Sequence, residues 1–362
     1  MKTTEDKITF GQFATVAAIS VFSPVSRLLP KASLEIGGRG CWVAPLIAFG
    51  PVVLLSAAAR RVTKCGRNGL EGALESILGR WVGKIFALII GAWIVFYGGF
   101  VLRSGAERML STVYETGKLK FFLISMAAVA IIPALGRVSS LSRTAELCMI
   151  FLTLTLAMIF IFAAPDIKAH YLLPVNVLDA GKLAASALPV INVSTTWVLL
   201  AFLGGHIREN SFKKSTMLKW ISFMLLIELM VFVTTVGVLG PELSKSQQFP
   251  FFVMISNINV LNILERIEPV IVMIWVLTDF VFASALMMSS AEAFRGALGL
   301  RKRKLTALLS GAGMLIVSVV ITDNAFDFAK LSEHIIPLVN LAFTVGFMPL
   351  LLLFAKKGEK RS

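Results

Sequence analysis

Long apolar stretches alternate with short charged breaks along the whole chain. Each stretch is about 20 residues long, which is the length of α-helix that crosses the hydrocarbon core of a bilayer. The breaks are rich in Lys and Arg, as in ARRVTKCGRNG (59–69) and LRKRK (300–304). The pattern therefore predicts an all-α polytopic membrane protein with about ten transmembrane helices. The ten predicted spans are 8–29, 41–59, 82–104, 120–136, 145–164, 184–205, 217–240, 268–291, 305–322 and 334–355.

The composition agrees with a membrane protein. Of the 362 residues, 57% are hydrophobic and 15% are charged, and the mean hydropathy is +0.82, so the chain lacks the polar surface that a soluble protein needs. The net charge of +14 is explained by basic loops rather than by a nucleic-acid partner. No catalytic motif is present, and the spacing of the cysteines and histidines predicts neither a disulfide nor a metal site. We therefore expect no enzyme activity and no cofactor.

The distribution of Lys and Arg predicts the orientation of the spans. These residues concentrate in the N-terminus, the even-numbered loops and the C-terminal tail, so both termini are expected in the cytoplasm. Ten spans with both ends on one side divide into two groups of five that run in opposite senses, as inverted repeats do. We place repeat one at about 8–164 and repeat two at about 184–355, within a single transmembrane domain, 1–362.

Two spans carry helix-weakening residues at corresponding places in the two repeats. Span one contains SVFSPVS (20–26), and span six contains LPVINVSTTW (188–197). In transporters built from inverted repeats, the first helix of each repeat is broken near the midplane and its free backbone groups hold a ligand. The pattern predicts broken helices one and six. The alternative is a proline kink whose carbonyls accept hydrogen bonds from Ser and Thr hydroxyls.

Span eight opens with ERIEPVIVMIWVLTDF (265–280), which closely resembles a signature of the spore-germination permease family. These proteins are the membrane-embedded B subunits of bacterial germinant receptors and belong to the amino acid–polyamine–organocation superfamily. Arg266, Glu268 and Trp275 stand at the positions of the family's Arg-x-Glu pair and the Trp that follows it. KITFGQF (7–13) is similar to the family's opening before span one. The resemblance covers nearly the whole chain.

The resemblance implies a LeuT-like fold with a small-molecule pocket between spans one, three, six and eight. For the hydroxyl side chains the alternative is a hydrogen bond back to their own helix, and for the aromatic ones it is simple packing. Family members carry a glycine-x-glycine element where this chain has Ser23-Pro24-Val25. The candidate ligand-binding residues are Ser20, Ser23, Tyr97, Asn192, Ser194, Thr195 and Trp275.

Ionisable residues inside the spans need a partner, because an unpaired charge is costly in lipid. Glu228 in span seven and Asp279 in span eight are the candidates for a proton relay. Alternatively, both carboxyls are protonated and hydrogen-bonded to neighbouring groups. Arg27 is expected near the outer end of span one, with its side chain extending to the interface.

Charged residues at the outer ends of two spans are candidates for a gate or a subunit contact. In span three these are Arg103 and Glu107, and in span eight they are Arg266 and Glu268. A solvated interfacial ion pair is the alternative for each. The segment 241–265 is too apolar for a free loop, so we expect it to form short helices over the outer mouth.

The leading interpretation is a germinant-receptor B subunit in the inner membrane of a spore. By resemblance it binds a small nutrient, such as an amino acid, and its partners are A and C type receptor subunits and the lipid bilayer. The first alternative is a proton-coupled secondary transporter of amino acids or related cations. The second is a scaffold subunit that binds no ligand, which the missing glycines of span one favour.

Overall fold

The computed structural model describes residues 6–66, 69–112, 117–175, 179–258, 268–300, 302–322 and 324–358. These residues are almost entirely helical. The α-helices are α1 (Phe10–Gly37), α2 (Ala44–Lys64), α3 (Leu70–Leu78), α4 (Arg80–Thr112), α5 (Leu119–Leu135), α6 (Val138–Ala163), α7 (Ala169–Leu172), α8 (Ala180–Ala185), α9 (Ala187–Thr195), α10 (Lys214–Leu239), α11 (Pro241–Ser246), α12 (Pro250–Ser256), α13 (Glu268–Leu298), α14 (Arg303–Val320), α15 (Ala325–Lys330), α16 (Ile336–Leu341) and α17 (Met348–Gly358).

Each of the ten predicted spans lies on a helical segment. Within the described ranges, eight helical stretches are long and apolar enough to cross a membrane, judged by length and composition. The first of these, Leu29–Lys64, joins the end of α1 to α2. Helix α5 is also apolar, with 17 residues. The chain is a multi-pass, all-α protein, as the apolar pattern predicts.

Span one is a continuous helix, which corrects the predicted break. Helix α1 runs through Pro24 and Pro30 without interruption. Pro24 has no N–H to donate to the preceding turn, but the loss of one bond does not unwind the backbone. Nearby hydroxyls bond within the helix, since Ser20 Oγ donates to the carbonyl of Val16 at 2.7 Å. In place of the glycines that would free the backbone, the chain has residues with side chains, which favour the helical conformation.

Span six changes its helical geometry near the predicted place. Helix α9 ends at Thr195, and a 3-10 helix continues from Thr196 to His206. The hydroxyl of Thr196 donates to the carbonyl of Asn192 at 3.0 Å. The chain therefore departs from α-helical geometry in the middle of span six but remains helical.

Span ten is built from short α-helices separated by two π-helical turns. The turns are Leu331–Ile335 and Ala342–Phe347, between α15 and α16 and between α16 and α17. π-Helical turns redirect side chains and occur often at functional sites. Ser332, in the first of these turns, and Asn340, on α16, are both buried.

The spans pack closely around α1 and α4. Helix α1 contacts α6, α9, α10 and α13, and helix α4 contacts α13 and α14 along much of its length. At Gly99 of α4 the approach is so close that a Cβ would lie 2.6 Å from Val317 Cβ and 2.8 Å from the carbonyl oxygen of Met314.

The segment after span seven forms two short helices, as predicted for 241–265. They are α11 and α12, and α12 packs on α1, α10 and α13. Phe251 and Met254 of α12 are fully buried in this contact. Residues 259–265 of the predicted segment lie outside the described residues.

Candidate functional site

A small cavity lies at the centre of the bundle, where α1, α4, span six, α13 and span ten meet. Its volume is about 30 Å³, which has room for water but not for a nutrient-sized ligand. Spans one, three, six, eight and ten each contribute residues to its lining. The lining residues are Ser23, Pro24, Arg27, Tyr97, Phe100, Val101, Ser104, Asn192, Val193, Thr196, Phe282, Ser332, Ile336, Pro337 and Asn340.

Three of the seven predicted ligand-binding residues line this cavity. Ser23, Tyr97 and Asn192 come from α1, α4 and α9, so three separate elements bring them together. The Oδ1 atom of Asn192 is buried and has no hydrogen-bond partner among the described residues. A buried acceptor of this kind is costly to leave unpaired, which marks it as a place for a donor.

The other predicted hydroxyls are hydrogen-bonded within the protein and do not line the cavity. Ser20 and Thr195 donate to backbone carbonyls of their own helices, Thr195 to Ile191 at 2.7 Å. Ser194 donates to Oε1 of Glu228 at 2.8 Å. Ser20 and Thr195 thus follow the alternative in which a hydroxyl bonds back to its own helix, whereas Ser194 binds a carboxyl on α10.

Trp275 is fully buried beside the cavity but does not line it. Its indole N–H donates to Ser26 Oγ at 2.8 Å, and its ring lies 4.6 Å from the guanidinium carbon of Arg108. Trp275, the tryptophan of the family motif, therefore links α13 to α1 through its hydrogen bond to Ser26 and makes a cation–π contact with Arg108.

Arg27 lies in the cavity wall, which corrects the expectation that it reaches the interface. Helix α1 continues ten residues beyond Arg27, to Gly37, so this position is well inside the helix. The side chain is buried and donates to the hydroxyls of Ser104 and Ser332, the latter at 3.4 Å.

A buried ion pair joins α4 to α13 close to the cavity. Arg108 donates to Asp279 Oδ2 and also to the hydroxyl of Ser23, the latter at 3.2 Å. Arg108 was missing from the predicted site. The only signal for it in the sequence is a basic residue next to Glu107, and nothing local indicates that Asp279 is its partner.

The two predicted proton-relay residues bind different partners. Asp279 pairs with Arg108, whereas Glu228 of α10 accepts from Ser194. The second carboxyl oxygen of Glu228 is buried without a partner among the described residues. The described contacts do not join the two carboxyls to each other.

The predicted gate residues of span three form a close pair. Arg103 Nε lies 2.8 Å from Glu107 Oε1, one helical turn away on α4. In span eight, Glu268 begins α13, and Arg266 lies outside the described residues. The pair in span three is partly buried rather than solvated.

A second and much larger cavity, of about 870 Å³, lies between α1, α2, the 3-10 helix of span six and α10. We call it the vestibule. Helix α1 and span six line both cavities. On α1, Ala17 lines the vestibule and Pro24 lines the central cavity; on span six, Trp197 lines the vestibule and Val193 lines the central cavity. The wall of the vestibule includes five aromatic side chains, and its basic residues are Lys7, Arg60, Lys64 and Arg208.

A cluster of charges closes the bundle at the start of α1. Asp6 accepts from the backbone N–H groups of Val138 and Ser139, at 2.8 and 3.0 Å, and lies 3.4 Å from Arg303. Burial raises the pKa of Asp6, but these hydrogen bonds and His206 lower it more, so the pKa stays below its ordinary value. No group of three His, Cys, Asp or Glu residues in the described ranges is arranged to hold a metal ion.

Comparisons with known proteins agree with this architecture. A family model described as "Spore germination protein" matches residues 7–326. Spore germination protein A2 of Bacillus subtilis (strain 168) is 24% identical over 216 residues, which is 57% of this chain and 57% of that protein. The match thus spans a little over half the length of this curated relative.

Two solved structures share the fold. The crystal structure of MhsT in complex with L-phenylalanine has a TM-score of 0.59 and 12% identity, covering 97% of this chain and 99% of that one. A substrate-bound, outward-open Na⁺-coupled sialic acid symporter has a TM-score of 0.62 and 10% identity, covering 91% and 77%. Both likenesses confirm the predicted LeuT-like transporter fold. Since the family match covers most of the chain, this multi-pass membrane protein belongs to the spore germination protein family.

Proposed function

We propose that this protein is the membrane-embedded, ligand-binding B subunit of a spore germinant receptor. It lies in the inner membrane of the spore with both termini in the cytoplasm, and a small nutrient such as an amino acid binds in the central cavity. Partner subunits of the A and C types sense the occupancy of that cavity. The proposal rests on the family membership together with a small central cavity that carries buried polar groups from α1, α4 and α9.

The size of the cavity determines how such a receptor would work. About 30 Å³ is far below the roughly 300 Å³ or more of ordinary ligand sites, so the structure corresponds to a closed state. A nutrient must bind a second state with a larger cavity. Binding then shifts the population between the two states by as much as the difference in affinity allows.

Ligand-dependent thermal stability of the purified protein in nanodiscs tests this function. A nutrient at about 100 times its dissociation constant should add about 2.7 kcal/mol to the free energy of unfolding. The Asn192→Leu variant, which fills the cavity and removes its amide, should lose that stabilisation and remain folded. A panel of amino acids, nucleosides and sugars that leaves the wild-type melting temperature unchanged would instead support the scaffold without a ligand.

Proton-coupled transport is the second candidate, and Glu228 is the observation in its favour. This carboxyl lies one helical turn beyond Met224, which lines the vestibule, and it binds Ser194, next to the cavity-lining Val193. Its second carboxyl oxygen is buried and has no hydrogen-bond partner among the described residues. Uptake of a bound nutrient into proteoliposomes under a pH gradient, abolished in Glu228→Gln, would establish transport; binding without uptake would favour the receptor.

A further inference from the structure

Arg27 is a buried cation in the wall of the central cavity. Its side chain is 7% exposed, and its guanidinium donates to the hydroxyls of Ser104 and Ser332. The ring of Phe100 lies 5.3 Å from the guanidinium carbon. All of these partners are neutral, and in the described ranges no carboxylate lies within ion-pair distance of Arg27.

The other buried arginines show what Arg27 lacks. Arg103 has Glu107 at 2.8 Å, and Arg108 is paired with Asp279. Arg27 is the charged residue in the described lining of the cavity, and the nearby Arg108–Asp279 pair is balanced within itself, so the cavity carries an excess of one positive charge. Glu228 does not pair with Arg27: this carboxyl accepts a hydrogen bond from Ser194, and neither Glu228 nor Ser194 lines the cavity.

The chemistry of the guanidinium selects the anionic group that would balance this charge. A guanidinium presents its N–H groups in a planar fork that matches a carboxylate. The closed cavity of about 30 Å³ has no room for a whole nutrient, so the guanidinium meets the carboxylate in the enlarged state proposed above. The unpartnered Oδ1 of Asn192 lines the same cavity and can accept from a donor that lies next to the anionic group.

We propose that Arg27 binds the carboxylate of the ligand and thereby determines the ligand class. The ligand is a small carboxylate with an adjacent N–H donor for Asn192, the arrangement found in a zwitterionic α-amino acid. This assignment rests on the proposed function. In it, the Arg27 side chain holds the ligand's charged group, as free backbone groups do in a broken helix. The continuous helix α1 is thus compatible with binding.

Matched ligands test the assignment on the unaltered protein. Thermal shifts of the wild type in nanodiscs are titrated with each amino acid that stabilises it and with the corresponding carboxamide. Charged hydrogen bonds contribute about 1.5–3 kcal/mol, so the amide should bind at least about tenfold more weakly than the acid. Equal affinities for acid and amide would overturn the proposal.

Substitutions at Arg27 give a second measurement. Arg27→Gln removes the charge and should weaken amino-acid binding at least about tenfold, whereas Arg27→Lys keeps the charge and should weaken it less. Arg143→Gln, at an exposed position on α6, is the matched control and should bind as the wild type does. Unchanged affinity in a folded Arg27→Gln protein would also overturn the proposal.

Small anions separate this inference from the proposed function. Formate and chloride, compared with sulfate at constant ionic strength, should stabilise the wild type more than Arg27→Gln, even when no nutrient binds. If these anions stabilise the wild type but no amino acid changes its melting temperature, the result would contradict nutrient binding and support an anion site at Arg27. If no amino acid binds and neither anion distinguishes the two proteins, the anion site is excluded.

Discussion

Among the described residues, three arginines are buried, and each is satisfied in a different way. Arg103 has a glutamate one turn away on its own helix, whereas Arg108 reaches an aspartate on another helix. Arg27 has hydroxyls. A buried charge in a membrane bundle needs partners at fixed positions. These side chains therefore constrain how α1, α4 and α13 pack together.

Removing one member of the buried pair between α4 and α13 should be strongly destabilising. Asp279→Asn leaves Arg108 without its counter-ion, and we expect a loss of about 3–5 kcal/mol in the free energy of unfolding. The measurement is the unfolding midpoint in nanodiscs. The double variant Arg108→Met/Asp279→Leu should recover most of the loss, because it leaves no unpaired charge.

An exposed pair provides the control for this prediction. Lys31 pairs with Glu333 at 3.2 Å while both side chains remain partly in solvent, so Lys31→Gln should cost less than about 1 kcal/mol. A loss of that size in Asp279→Asn would show that the buried pair contributes no more than a surface pair does.

At this scale the sequence shows which residues are polar but not where they lie. Asn192 and Tyr97 were predicted for the pocket because the family resemblance implies a pocket between spans one, three, six and eight. Arg27 was misplaced because the predicted span ends at 29, whereas α1 continues to Gly37. The partner of Asp279 could not be predicted, since Arg108 is 171 positions away in the chain and only the packing brings them together.

Close contact between α4 and α14 depends on the absence of side chains at Gly98 and Gly99. A Cβ at Gly99 would meet the backbone of Met314 as well as a side chain, so the two helices would have to separate. Small residues allow membrane helices to approach in this way, and dispersion contacts along the seam then stabilise the pair.

Enlarging the residue at this seam should destabilise the bundle. For Gly99→Val we expect a loss of about 1–3 kcal/mol in the free energy of unfolding, because overpacking forces the helices apart. Gly181→Ala is the control, since a Cβ there has open space around it. Equal unfolding midpoints for the two variants would contradict the close packing of α4 on α14.

Helix positions follow from the apolar pattern, but helix geometry does not. The ten apolar runs locate the helices because burial in lipid requires them. Pro24 gives the same local signal for a kinked helix and for a broken one, and the packing around α1 decides between them. The change at Thr196 and the π-helical turns of span ten likewise depend on neighbouring helices.

At the scale of the whole molecule, one charge cluster ties the start of the chain to both predicted repeats. Asp6 binds the first N–H groups of α6, in repeat one, and lies 3.4 Å from Arg303, in repeat two. Arg303 and His206 also contact Glu292 of α13. The N-terminal segment is thus held in place by α6, α13, α14 and the end of span six.

The acid stability of the protein should depend on Asp6. Since the pKa of this carboxyl is lower in the folded protein than its ordinary value of 3.8, its stabilisation is present above that pH and is lost as the pH falls through the folded pKa. Asp6→Asn should lower the melting temperature at neutral pH and reduce the further fall below about pH 4. Asp166→Asn, on an exposed turn, is the control and should follow the wild type. A parallel pH profile for Asp6→Asn and the wild type would contradict this role.

The eleven-residue 3-10 segment Thr196–His206 has a consequence for movement along the membrane normal. A 3-10 helix rises about 2.0 Å per residue and an α-helix about 1.5 Å, so recoiling this segment would shorten it by about 5 Å. Its far end is bonded to the start of the chain, because Ile8 N–H donates to His206 O and Arg208 N–H donates to Ile8 O. If Thr196–His206 changed from 3-10 to α-helical geometry, span six would therefore shorten and would pull the N-terminal segment inward by about one helical turn.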